Sequence, residues 1–157
     1  MRQIILTGII VLVAGFIVKT GIAADAVYNK AIEETFSVLD NEVEVTEMRR
    51  TEILAPGWYI PAGTEETIVI NSLKGTNDKV QKVIESISIT DSEGRVLSFS
   101  HSTDSENNII ISVSLPRNIE YSSPYFIQTK YKSSLLFFKT GTLRDLYIPV
   151  LDEGFQF

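Results

Sequence analysis

The chain has 157 residues, no cysteine and a formal net charge of −6, which excludes a disulfide framework and a thiolate metal site. All 20 acidic residues follow Lys19, against 12 of the 14 basic ones, so the part beyond Lys19 carries a net charge of −8. That sign argues against nucleic acid and against an anionic membrane surface as partners, and the length suits one domain with its own core.

The first element is the run from Ile4 to Val18, fifteen residues without a charge between Arg2 and Lys19. Its large apolar side chains are Ile4, Ile5, Leu6, Ile9, Ile10, Val11, Leu12, Val13, Phe16, Ile17 and Val18. A run like this finds a good solvent in lipid, in a translocation channel or against another apolar helix. As a helix it is about 22 Å long, short of the ~30 Å hydrocarbon core. With Lys19 snorkelling, residues 20–24 extend it to ~32 Å, which is enough. Residues 1–24 therefore read as a transmembrane anchor with a cytoplasmic N-terminus. The alternative is a cleaved signal peptide, with Arg2 as its n-region and a small-residue site around Ala23-Ala24-Asp25-Ala26. Lys19, a charge between the run and that site, favours the uncleaved anchor.

Residues 25–40 come next. Tyr28, Ile32, Phe36 and Leu39 fall at i, i+4, i+8 and i+11, the stripe of an amphipathic α-helix. Lys30 then reaches Glu33 and Glu34 on the wet side. The stripe has to be covered, by the chain's own domain or by another subunit against a stalk.

From Glu42 the period drops to two. Val43 and Val45 alternate with Glu42 and Glu44, which predicts a strand with one wet face. Trp58-Tyr59-Ile60, bracketed by Ala55-Pro56-Gly57 and Pro61-Ala62-Gly63, reads as a short edge segment between turns. Residues 67–71 predict a compact strand and the polar residues 72–81 a loop. Residues 83–90 and 95–100 flank Asp91-Ser-Glu-Gly94, a β-hairpin whose Gly94 takes the positive φ of the turn. Ile109, Ile111, Val113 and Leu115 alternate with Ile110, Ser112 and Ser114. Tyr125, Ile127, Thr129 and Tyr131 oppose Phe126, Gln128 and Lys130. Residues 135–139, a turn at 140–142 and residues 143–150 complete the set. Short strands with a turn about every 8–12 residues predict a mainly β chain, with an immunoglobulin-like antiparallel β-sandwich over residues 41–157.

Chemical motifs are sparse. His101 is the one histidine, in Ser100-His-Ser-Thr-Asp104; proximity in sequence makes no catalytic triad, which needs convergence in space. One histidine without cysteine is a poor zinc site. Asp91-Ser-Glu-Gly-Arg lacks the further acids of a calcium loop. Asp104, Glu106, Asp152 and Glu153 offer oxygens to a surface cation but most simply solvate a face. Neither a glycine-rich phosphate loop nor a nucleophile elbow occurs. The expectation is a non-enzyme with no cofactor, no metal and no small-molecule substrate.

Core packing explains the aromatic clusters most cheaply, which are Trp58-Tyr59, Tyr121 through Phe126 and Phe137-Phe138. Trp58 and Tyr59 also suit a bilayer or a partner protein, since both side chains favour those places. Phe155 and Phe157 share one side of a possible last strand, open to addition onto a neighbour's sheet. An apolar N-terminal helix running into an amphipathic one, then a β-domain, resembles the layout of type IV pilins and their archaeal relatives. That family's processing site, a Lys/Arg/Gln-Gly dipeptide before the run with a Glu five residues into it, is absent: Gly8 follows Thr7, and no Glu precedes Glu33. The resemblance implies an unprocessed, pilin-like accessory subunit. The function expected is that of a single-pass envelope protein whose outward domain contacts other subunits. A secreted or pilin-like filament subunit and a ligand-binding sandwich are the alternatives.

Overall fold

The structure, a computed structural model, describes residues 9–12, 27–38, 42–72, 77–135, 137–140 and 143–146. In chain order these form β1 (Ile9–Leu12), β2 (Tyr28–Val38), β3 (Val43–Ile53), β4 (Tyr59–Ile60), β5 (Glu65–Ile70), α1 (Asn77–Ser86) and β6 (Ser88–Asp91). They continue through β7 (Phe99–Thr103), β8 (Ile109–Ser114), β9 (Ile119–Glu120), β10 (Tyr125–Ser133), β11 (Phe137–Thr140) and β12 (Leu143–Leu146). The chain is mainly β, and its strands pair antiparallel.

Alternation builds the two principal sheets. One has the order β1-β2-β3-β10-β6 and the other β5-β8-β7. On β3 and β10 the odd-numbered residues turn inward, on β5 the even-numbered ones. The inward Val43, Val45, Ile53, Ile127 and Ile89 of the larger sheet share one core with Ile68, Ile70, Ile109, Ile111 and Val113 of the smaller. β4 and β9 form a two-residue ladder at one end, and β11 pairs with β12 as a separate hairpin.

The larger sheet has five strands and the smaller three, against four and three in an immunoglobulin constant domain. The wiring is different. An immunoglobulin fold places its fifth strand beside its fourth in the larger sheet. Here the chain leaves β6 for the smaller sheet, makes β7 and β8 there, and returns late, so that β10 fills the gap between β3 and β6.

Three local expectations are corrected. Residues 28–38 are strand, not helix, paired along their whole length with β3. A spacing of four is a multiple of two, so Tyr28, Ile32 and Phe36 share a face in either conformation. Only Leu39 spoke for a helix, and it lies outside the described residues. Conversely, residues 77–86 are the helix α1 where a loop running into a strand was expected. Val80, Val83, Ile84 and Ile87 sit at i, i+3, i+4 and i+7, with Val80 and Val83 buried in the core. The Ser86 hydroxyl accepts from Lys132 N–H at 2.9 Å, tying the helix end to β10. Third, the hairpin at Asp91 exists, with Gly94 at φ +76°, but its second arm is one bridge, Thr90 to Val96, before the chain crosses to the other sheet.

Of the apolar run, four residues are described. They lie antiparallel along β2, Ile9 opposite Ser37 and Leu12 opposite Glu34, as strand rather than the expected helix. The other anchor residues (Ile4, Ile5, Leu6, Val13, Phe16, Ile17 and Val18) lie outside the described residues, as do Phe155 and Phe157. Among the described residues no helix is long and apolar enough to cross a membrane.

Candidate functional site

Two features rise above the rest of the surface and core. The first is an aromatic end. β2 begins at Tyr28, opposite Ile53, and the Leu54 N–H donates to Val27 O at 2.9 Å just before it. The Ala55-Pro56-Gly57 turn, with Gly57 at φ +81°, then carries Trp58 out to β4. Tyr59 lies opposite Glu120 on β9, and Tyr121 bridges to Ile53. Tyr28, Leu54, Trp58, Tyr59 and Tyr121 are thereby brought to one end of the molecule. They make up five of the seven exposed large hydrophobic side chains among the described residues, and Trp58 is 59% exposed. Core packing of Trp58 and Tyr59 is thus ruled out. Of the other residues singled out with them, Phe36 belongs to the chain's own core and Ile32 is half-buried beside it.

The second feature is a charged cluster between the sheets. The inward face of β2 carries Lys30 and Glu34, that of β3 carries Glu47 and Arg49, and that of β5 carries Glu66. Glu47 is 3% exposed and hydrogen-bonded by the Arg49 guanidinium. Arg49 Nη1 also donates to Thr67 O at 2.8 Å, reaching the facing sheet. Lys30 Nζ meets Glu66 at 2.7 Å, a second link between the sheets, in place of the expected Glu33 or Glu34. These links cross an open groove of about 240 Å³ lined by Lys30, Ile32, Arg49, Thr51, Glu66 and Thr67. Burial, reinforced by the Glu47 charge and opposed by Arg49, pushes the Glu34 carboxyl up to about 7. Burial also pushes the Tyr131 phenol up, with Glu34 and Glu47 adding to it.

That arrangement has a consequence for stability. Glu34 titrates near 4.5 when free and near 7 in the fold, so the folded state binds the extra proton between those values. Its cost is absent below about pH 4.5, grows as pH rises and is complete above about 7. Glu34→Gln is expected to stabilise the fold by roughly 1–2 kcal/mol at pH 8, allowing for solvent at the half-open carboxyl, and to do little at pH 4.5. Thermal melts of both proteins at the two pH values check it. An equal shift at both would contradict the assignment.

The other polar candidates organise turns. Asp91 Oδ1 accepts from the Glu93 and Arg95 N–H groups, and its Oδ2 accepts from Arg95 Nε at 2.7 Å. Burial would raise this carboxyl, but the hydrogen bonds from Arg95 and Glu93 outweigh it and hold it below its ordinary value. Asp104 caps its own turn, accepting from Glu106 N–H and from both Asn108 nitrogens. His101 is exposed on β7 beside a shallow depression under α1, near enough to Phe99 for a tilted ring contact. Among the described residues no group of three or more His, Asp or Glu is placed to hold a metal ion.

No known family, curated protein or solved structure matches this chain. The site therefore rests on the geometry alone. The aromatic end was half legible, since Trp58 and Tyr59 sit between two turn motifs. Tyr121 is exposed where the cluster from Tyr121 to Phe126 predicted core, and Leu54 gave no signal of its own. Glu47 and Arg49 did give one, because they continue the inward parity of Val43 and Val45.

Proposed function

We propose that the chain is a non-enzymatic, single-pass envelope protein, held by residues 1–24 with its β-sandwich, immunoglobulin-like in its two antiparallel sheets around one core, on the outer side of the membrane. There it works by contact with other protein subunits. The observation that carries this reading is the fifteen-residue uncharged run from Ile4 to Val18. Beside β2 four of those residues find backbone partners; in a bilayer, as a helix, the whole run finds a matching solvent. In this reading the run leaves the sheet edge when lipid is present. The exposed aromatic end at the start of β2 supports it. So does the acidic exterior, which keeps the outward domain soluble in the water it faces.

The test is fractionation of the full chain expressed in cells. The protein should sediment with membranes, resist alkaline extraction and keep an intact mass that includes its N-terminus. Val11→Arg, at mid-run, should cost ~2.5–3.5 kcal/mol of insertion and move much of the protein out of the membrane fraction. A soluble mature form starting near Asp25 or Val27 would overturn the anchor.

One observation favours a second reading. β1 is a short edge strand joined to β2 through a long connection, residues 13–27. Such a strand can pair equally with the β2 edge of a second copy, as in domain swapping. The chain would then be a filament subunit, and purified protein would grow into long polymers rather than stay a discrete membrane particle.

A further inference from the structure

With the apolar run withdrawn from β2 into the bilayer, as in the anchored state proposed above, the aromatic end stands where β2 begins and the chain leads back to the anchor. Val27 leads into β2 and its carbonyl accepts from the Leu54 N–H at 2.9 Å, and Tyr28 and Leu54 beside it belong to the exposed patch. Residues 19–26 connect that point to the apolar run. Even fully extended they reach no more than ~29 Å, so this end cannot lie far from the bilayer.

The patch has the chemistry of an interface between water and hydrocarbon. Trp58, Tyr28, Tyr59 and Tyr121 each combine a flat apolar body with one polar tip, and such side chains concentrate at the headgroup level of membranes. Leu54 adds a purely apolar contact. The domain's net negative charge leaves no electrostatic pull toward anionic lipid, so what the patch fits is a zwitterionic headgroup layer, reached by aromatic insertion rather than by charge. Residues on a short tether also meet that layer at high effective concentration, ahead of any partner arriving from solution.

We propose, building on the anchoring reading above, that Trp58, Tyr59, Tyr121, Tyr28 and Leu54 seat the end of the sandwich in the headgroup layer of the membrane that holds the anchor. The domain then stands on the bilayer with its strands pointing away from it. Its two outer sheet faces are left for partner subunits.

Trp58 is the single tryptophan, so intrinsic fluorescence reports this face directly. The probe is full-length protein in phosphatidylcholine vesicles, with and without phosphatidylcholine spin-labelled near the headgroup or deep in the acyl chain. Vesicle flotation is measured on the same samples. The expected result is flotation with a blue-shifted Trp58 emission, most of it lost to the shallow label, less to the deep one, and little to aqueous acrylamide. Trp58→Phe with Tyr121→Trp should repeat the pattern from a second position on the face. Flotation with Trp58 open to acrylamide overturns the inference and leaves the anchor standing. Flotation with Trp58 shielded from both lipid labels and acrylamide also overturns it, in favour of a protein contact. Failure to float removes the anchoring reading and the inference with it.

Discussion

Arg49→Ala is expected to cost the fold about 3–5 kcal/mol, the range for removing one partner of a buried ion pair. Glu47 is almost wholly buried and takes its hydrogen bond from this guanidinium, while Glu34 feels the same positive charge. Without it, two carboxylates face each other between the sheets with no cation of their own, and the link to Thr67 O is lost as well. The loss should be larger at pH 8, where the Glu34 carboxyl is charged, and smaller at pH 5, where Glu34 holds its proton. Urea unfolding of the full chain in detergent micelles at both pH values gives the comparison. Arg49→Met combined with Glu47→Leu should be far less damaging than Arg49→Ala, because it removes the buried charge together with its partner. A loss below about 1 kcal/mol for Arg49→Ala would mean that solvent, not Arg49, compensates Glu47.

Ile111→Ala should cost about 2–5 kcal/mol, the usual toll of emptying a large aliphatic site in a close-packed core. Ile111 has no exposed surface and stands mid-strand on β8, opposite Ile68 on β5 and His101 on β7. At this chain length the loss corresponds to a melting temperature lower by roughly 5–15 °C. Its neighbour Ile110 points the other way and is only half-buried. Ile110→Ala should therefore stay under about 1 kcal/mol. Similar losses at the two positions would put β8 in the wrong register.

Strands whose two faces differ in polarity were legible from the residues: β8 and β10 alternate so strictly that facing and bounds follow together. The failures have one cause, an ambiguity between periods. In β2 the apolar residues are spaced by fours, which suits a helix and a strand alike. Across α1 and into β6, Val83, Glu85, Ile87 and Ile89 imitate alternation, while Val80, Val83, Ile84 and the following Ile87 carry the true helical period. The charged cluster escaped for another reason. Val43-Glu-Val-Thr-Glu-Met-Arg-Arg reads as two apolar residues followed by a wet surface unless the parity is held through to Ile53, which sends Glu47 and Arg49 inward. Which strand lies beside which could not be read at all, because the insertion of β10 between β3 and β6 depends on contacts far apart in sequence.

That insertion also governs when the domain can form. β3 is made early and stays without its inner neighbour until β10, beginning about 70 residues after β3 has ended, has been synthesised. β6 likewise has no long strand to pair with until then. Closure over such distances is slow, in the range of milliseconds to seconds for folds dominated by non-local pairing. A chain wired this way keeps its larger sheet open between β3 and β6 until β10 has been made.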